Sequence, residues 1–141
     1  MFGQVDPHSP TPLYAQIADR VRIAVATGGL SPGVALPSVR RLATELRVSP
    51  ATIVQAYRQL EDVGLVVSRQ GAGTFVVGLS EAKRASERRR GARRLVGRLL
   101  KDAAGHGLSR EDLEQALDGA LSRRPGGGRD RPASRRRRAE I

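Results

Sequence analysis

The stretch SPATIVQAYRQLEDVGLVVSRQGAGTFVV, residues 49–77, changes its periodicity halfway along. Its first part places Ile53, Ala56, Tyr57 and Leu60 at steps of three and four, the repeat of one helix face. Ser49 before Pro50 is a start signal: a capping hydroxyl, then a residue whose missing N–H costs nothing in a first turn. These features predict a helix from Pro50 to about Val63, with Gly64 supplying the left-handed stop. After Gly64 the residues turn β-branched: LVVSR (65–69) and TFVV (74–77) flank QGAG (70–73). Two short strand formers around a glycine pair predict a β-hairpin.

Upstream, RVS (47–49) is a three-residue turn, and PSVRRLATEL (37–46) repeats the helical spacing through Val39, Leu42, Ala43 and Leu46. Before the turn LSPG, the run 11–28 predicts another helix, with Thr11 as its cap, Pro12 as its first residue and Leu13, Ile17, Val21, Ala24 and Val25 as its apolar face. Residues 1–10 hold two prolines and no periodicity, and are expected to be a flexible arm. Helix, helix, short turn, helix, hairpin is the order of a winged helix-turn-helix, here spanning 11–79.

Downstream, Gly78–Ser80 breaks the pattern. Residues 81–104 predict a basic helix with Ala92, Leu95, Val96, Leu99, Leu100 and Ala103 along one face. A further helix opens at Ser109, with Asp112 placed for a capping box and a stripe of Leu113, Ala116, Leu117, Ala120 and Leu121. Residues 80–122 thus form a helical extension. The tail 123–141 is rich in glycine, proline and arginine, and is expected to be disordered. The fold class expected is mainly α with a small β-hairpin: a winged helix-turn-helix followed by a two-helix dimerisation extension.

The 141 residues carry 25 basic and 14 acidic side chains, net +11. Such a balance favours polyanions, nucleic acid first. Yet residues 1–79 contribute only +2, and the surplus lies beyond them. The chain has no cysteine, which excludes disulfides, cysteine metal sites and thiol nucleophiles. It has no apolar run of spanning length and no signal-like N-terminus, so the cytoplasm is the expected location and no membrane partner is expected. His8 and His106 lack acidic or sulfur neighbours at ligand spacing, so no metal or cofactor is expected. With no catalytic cluster either, an enzyme is not expected.

A helix that reads DNA needs hydrogen-bonding or small groups on its outer face and flanking grips on phosphate. With the apolar stripe turned inward, Ala51, Thr52, Gln55 and Arg58 point outward. Gln55 suits adenine, Arg58 guanine or phosphate, Thr52 either base or phosphate, and Ala51 a thymine methyl. Ser38, Ser49 and Arg40 lie at helix starts, where phosphate is favoured. The hairpin tip, with Gln70 and Gly71, is short enough to lie on a minor groove or backbone. The bland alternative is that Thr52, Gln55 and Arg58 form an ordinary solvated face and that Arg40 pairs with Glu45.

The run from PLYAQI through LPSVRRLATELRVSPATIVQAYRQLEDVGLVVSRQGAGTFV resembles the DNA-binding domain of GntR-type bacterial regulators. That resemblance covers 11–79 and implies DNA contacts from Arg40, from Ser49 through Thr52 with Gln55 nearby, and from Gly71. Where some members carry arginines directly after the cap and four residues later, this chain has Pro50 and Val54, which moves weight to Gln55 and Arg58. A short two-helix extension is similar to that of the YtrA-like subfamily, and implies dimerisation. Two copies packed as four helices would cover apolar stripes that one hairpin leaves open. The alternative is a hairpin folded back on its own winged helix. The expected function is a sequence-specific repressor, a homodimer on a two-fold double-stranded DNA operator. An architectural DNA-binding protein with little sequence preference is the alternative. Whether a small-molecule effector exists stays open.

Overall fold

In the computed structural model, which describes residues 2–123, the first helix, α1, runs Leu13–Thr27. It starts one residue later than expected. Pro12 is the cap, its carbonyl accepting from the amides of Ala15 and Gln16 at 3.0 and 3.1 Å, and no side chain caps the helix. The Thr11 carbonyl accepts from the Gln16 side-chain amide at 2.9 Å.

The same glutamine engages the N-terminal arm. Gln16 donates to the Asp6 carbonyl and accepts from the Asp6 amide, both at 2.9 Å. Arg20 donates to the Gln4 carbonyl, and Phe2 is buried among the core residues. The arm lacks periodicity because a single aromatic anchor and a side-chain clamp hold it, and neither leaves a repeating pattern.

Helix α2 spans Val39–Leu46 and α3 spans Pro50–Asp62. Ser38 and Ser49 cap them, each hydroxyl accepting an amide three residues on at 3.2 Å, a contact worth about 1 kcal/mol. The turn between them is tight. Arg47 takes a left-handed φ of 59°, and the Val48 amide reaches back to the Ala43 carbonyl at 3.0 Å. Helices α1 and α2 both pack on α3. Ile17, Val21, Leu42, Ile53, Leu60 and Leu65 are fully enclosed, each burial contributing about 1.5–3 kcal/mol.

Strands β1 (Val66–Arg69) and β2 (Gly73–Val76) pair antiparallel, with Val66 opposite Val76 and Arg69 opposite Gly73. Residues 33–36 add a third, short segment that the sequence pattern did not signal. The Leu36 amide donates to the Thr74 carbonyl at 2.8 Å, and Val76 donates to Val34 at 2.9 Å. Pro32 and Gly33 make this stretch look like a plain turn, and only the proximity of β2 gives it partners.

Helix α4 is continuous over Glu81–Gly105, and α5 spans Arg110–Ser122. Compact packing divides the chain between Leu95 and Val96, inside α4. Within the first unit, the N-terminal part of α4 lies on α1. Glu87 and Arg22 form a bidentate pair at 3.0 and 3.1 Å, with side chains only 2% and 7% exposed. Arg94 pairs with Asp19 at 2.7 Å, and Arg88 donates to the Ala26 carbonyl at 3.1 Å. Burial pushes the Glu87 carboxyl up, but the hydrogen bonds and charge of Arg22, aided by Arg90 and Lys83, outweigh it and hold Glu87 below the usual range. The pair's contribution is therefore complete above the ordinary glutamate range and is lost as pH falls through the lowered value.

In the second unit, the Ser109 hydroxyl accepts the Asp112 amide at 3.1 Å and Asp112 accepts the Ser109 amide at 2.9 Å, the expected capping box. An apolar groove of about 500 Å³ opens between the C-terminal part of α4 and α5, lined by Val96, Leu99, Leu100, Leu108, Leu113 and Leu117. No helix among the described residues is long and apolar enough to cross a membrane. The expected disordered tail lies outside the described residues, apart from Arg123.

Replacing Gln16 by alanine removes the clamp on the arm. A loss of about 1–3 kcal/mol is expected, seen as a fall of several degrees in a thermal melt. An unchanged melt would show that Phe2 alone seats the arm.

Candidate nucleic-acid interface

Helix α3 turns Ile53, Ala56, Tyr57 and Leu60 into the core, and this aims the rest of its surface outward. Ala51, Val54, Gln55 and Arg58 are exposed, with Thr52 half-buried at the edge of the same face. Tyr57 is a second fastening. Its hydroxyl donates to the Pro37 carbonyl at 2.7 Å, tying α3 to the segment that leads into α2. Burial pushes the Tyr57 phenol up, so it keeps the proton that this bond needs.

The capping serines have divided roles. Ser38 Oγ is engaged by the Arg41 amide. Ser49 and Thr52 share one hydroxyl–hydroxyl bond at 2.9 Å, which leaves one O–H free to meet an anionic oxygen. Arg40 stands exposed on the first turn of α2, and its expected alternative partner does not engage it. Among the described residues neither Arg40 nor Arg58 forms an ion pair, so both cations are available to an outside anion.

At the hairpin tip, Gly71 has a φ of 77° and open space where a Cβ would stand. The left-handed turn, rather than crowding, requires glycine there, and the tip stays flat. Gln70 beside it is exposed.

Three features escaped the sequence. Val54 is 39% exposed on the outer face of α3, an apolar group beside Gln55. Arg69 stands over the Phe75 ring at 5.1 Å, which places a stiffened cation next to the hairpin tip. Glu61, at the end of α3, accepts from both the amide and the hydroxyl of Ser68 on β1 at 3.2 Å, tying hairpin to helix. No periodicity connects a helix end with a strand across Gly64, so only the fold reveals that brace.

The arginines along α4 separate by position. Arg84 and Arg88 reach Glu81, Arg88 also the Ala26 carbonyl, and Arg94 reaches Asp19. Arg89, Arg90 and Arg93 remain exposed.

Comparison with known proteins covers this same region. The GntR family of bacterial regulatory proteins matches residues 13–76. The "HTH-type transcriptional repressor YtrA" of Bacillus subtilis is 41% identical over 73 residues, 52% of this chain and 56% of that protein. The chain thus spans little more than half the length of this curated relative. Among solved structures, YtrA from Sulfolobus acidocaldarius, a GntR-family transcription factor, is 36% identical with a TM-score of 0.51, covering 69% of this chain and 95% of its own. A GntR family transcriptional regulator from Listeria monocytogenes superposes with a TM-score of 0.57 at 26% identity, over 78% of this chain and 96% of its own.

If Glu61 fastens the hairpin to α3, Glu61→Ala should raise hydrogen exchange at the Ser68 amide by at least about tenfold while the amides of α1 keep their protection. Equal protection of Ser68 in both proteins would show the brace to be idle.

Proposed function

This chain belongs to the GntR family of bacterial regulatory proteins, and on that footing we propose that it is a sequence-specific regulator of transcription that binds double-stranded DNA in the cytoplasm. The observation that carries this is the outer face of α3. Its buried stripe and the Tyr57 tether hold Ala51, Val54, Gln55 and Arg58 in one fixed array, and Arg40 stands exposed on the first turn of α2. In this assignment Gln55 and Arg58 read base edges in the major groove, and Ala51 and Val54 offer apolar contact to thymine methyls. Thr52 with Ser49, and Arg40 near Ser38, grip phosphate. Gln70 and Gly71 rest on the backbone or minor groove.

We assign the second unit to dimerisation. Leu99, Leu100, Leu108 and Leu117 are about half exposed around the apolar groove, and a second copy would cover them. A homodimer would present two α3 helices to a two-fold operator, half-sites about one DNA turn apart. Bound there, it would act as a repressor, the role named for the Bacillus subtilis relative. No catalytic role is assigned.

Selection from a random DNA pool tests the proposal. A recovered two-fold sequence, bound ~10³-fold or more above random duplex, is the expected result. A ratio near one would favour architectural binding instead. Arg40→Ala should weaken binding to all sequences and lower the salt slope by about one unit. Gln55→Ala should instead relax preference at one base pair, costing about 1–3 kcal/mol there. Uniform loss in both would remove Gln55 from base reading. Leu99→Glu should convert the dimer to a monomer in sedimentation, and a persisting dimer would move the interface elsewhere.

A further inference from the structure

The contact between α1 and the first part of α4 is built unlike the rest of the core. Down α1, Ala26, Arg22 with Ile23, and Asp19 follow one another at helical steps. Up α4, their partners are Arg88, Glu87 with Gly91, and Arg94. The helices are therefore antiparallel, and each supplies one acid and one base to two crossed ion pairs. At the centre the Ile23 side chain packs directly against Gly91. A Cβ added to Gly91 would stand 2.8 Å from Ile23 Cγ1, so that position admits only glycine without a shift.

Such a seam accepts one register. Sliding α4 by four residues in one direction would set Gly91 against Arg22 and Leu95 against Ile23, leaving a buried guanidinium without its acid and an isobutyl group where only hydrogen fits. Sliding it the other way would set Lys83 against Arg22, like against like. An apolar seam of the same size would tolerate such slips better, because leucine and methionine repack. Buried ion pairs add little net stability over apolar replacements, and their best-attested role is to choose one arrangement among several.

Helix α4 runs without a break to Gly105, into the segment assigned above to dimerisation. We infer that Arg22 and Glu87, keyed by Gly91, act as a register lock that holds α4 at one rotation on the DNA-reading unit and so sets the half-site spacing the dimer accepts. The inference rests on the dimeric, operator-binding function proposed above. Arg22 and Glu87 are positioning residues in this scheme: they touch no base, and they act by holding the first part of α4 on α1.

The test uses the full chain and the half-site recovered by selection, placed once on a duplex or twice with the separation varied one base pair at a time. The double variant Arg22→Met with Glu87→Leu should keep its melting temperature within a few degrees of wild type and its single half-site affinity within threefold. Its preference for the best spacing over its neighbours should fall at least fivefold. Glu87→Gln should lose the same preference together with stability. Gly91→Ala, with both charges intact, should move the preferred spacing or flatten it. A double variant that folds and keeps the wild-type spacing profile overturns the lock, as does an unchanged profile in Gly91→Ala. Failure of the underlying proposal would look different. The wild-type chain itself would then bind single and paired half-sites alike, and the lock would fall with it.

Discussion

The enclosed seam where α1 and α2 meet α3 is the constraint on which the rest of the molecule depends. Ile53 and Leu60 have no exposed surface, and Ile17, Val21 and Leu42 close over them. Because a helix has only one rotation that buries this stripe, the residues between are left outside in a fixed order. The outer face of α3 is thus a consequence of packing on the opposite side. Tyr57 sharpens it, since its bond to the Pro37 carbonyl ties α3 to the chain entering α2.

Around that seam, polar side chains set the positions of elements that little apolar packing holds. Gln16 secures the arm, Glu61 secures the hairpin through Ser68, and Arg22 with Glu87 secures α4. Each is a directional contact at a place where an apolar surface would permit sliding. The domain is small, so its periphery has little apolar area to share, and hydrogen bonds take on the aligning role.

The basic surplus acquires a different meaning once the fold is known. Arg22, Arg84, Arg88 and Arg94 engage carboxylates or a carbonyl of the chain itself. Arg40 on α2 and Arg58 on the outer face of α3 form no ion pair among the described residues. Net charge therefore indicates an affinity for polyanions in bulk, whereas the candidate interface depends on a few cations left unpaired where α2 and α3 surface.

Local chemistry made most of the first unit legible from sequence alone. Apolar spacing at steps of three and four, Ser49 and Ser109 before their helices, and the glycines around the hairpin each act within a few residues. They placed the helices and the hairpin, and with them the face of α3 that carries Gln55 and Arg58. Tertiary structure alone decided what joins distant segments. It docked the arm through Phe2 and Gln16, laid residues 33–36 along β2, braced Ser68 on Glu61, and seated Glu87 on Arg22 across 65 positions of chain. It also divided α4, which reads as one basic amphipathic helix, into a part fastened by charge to α1 and a part whose leucines stay exposed. Periodicity records which side of a helix is apolar, but the partner that meets a polar side chain is set by where the chain returns in space.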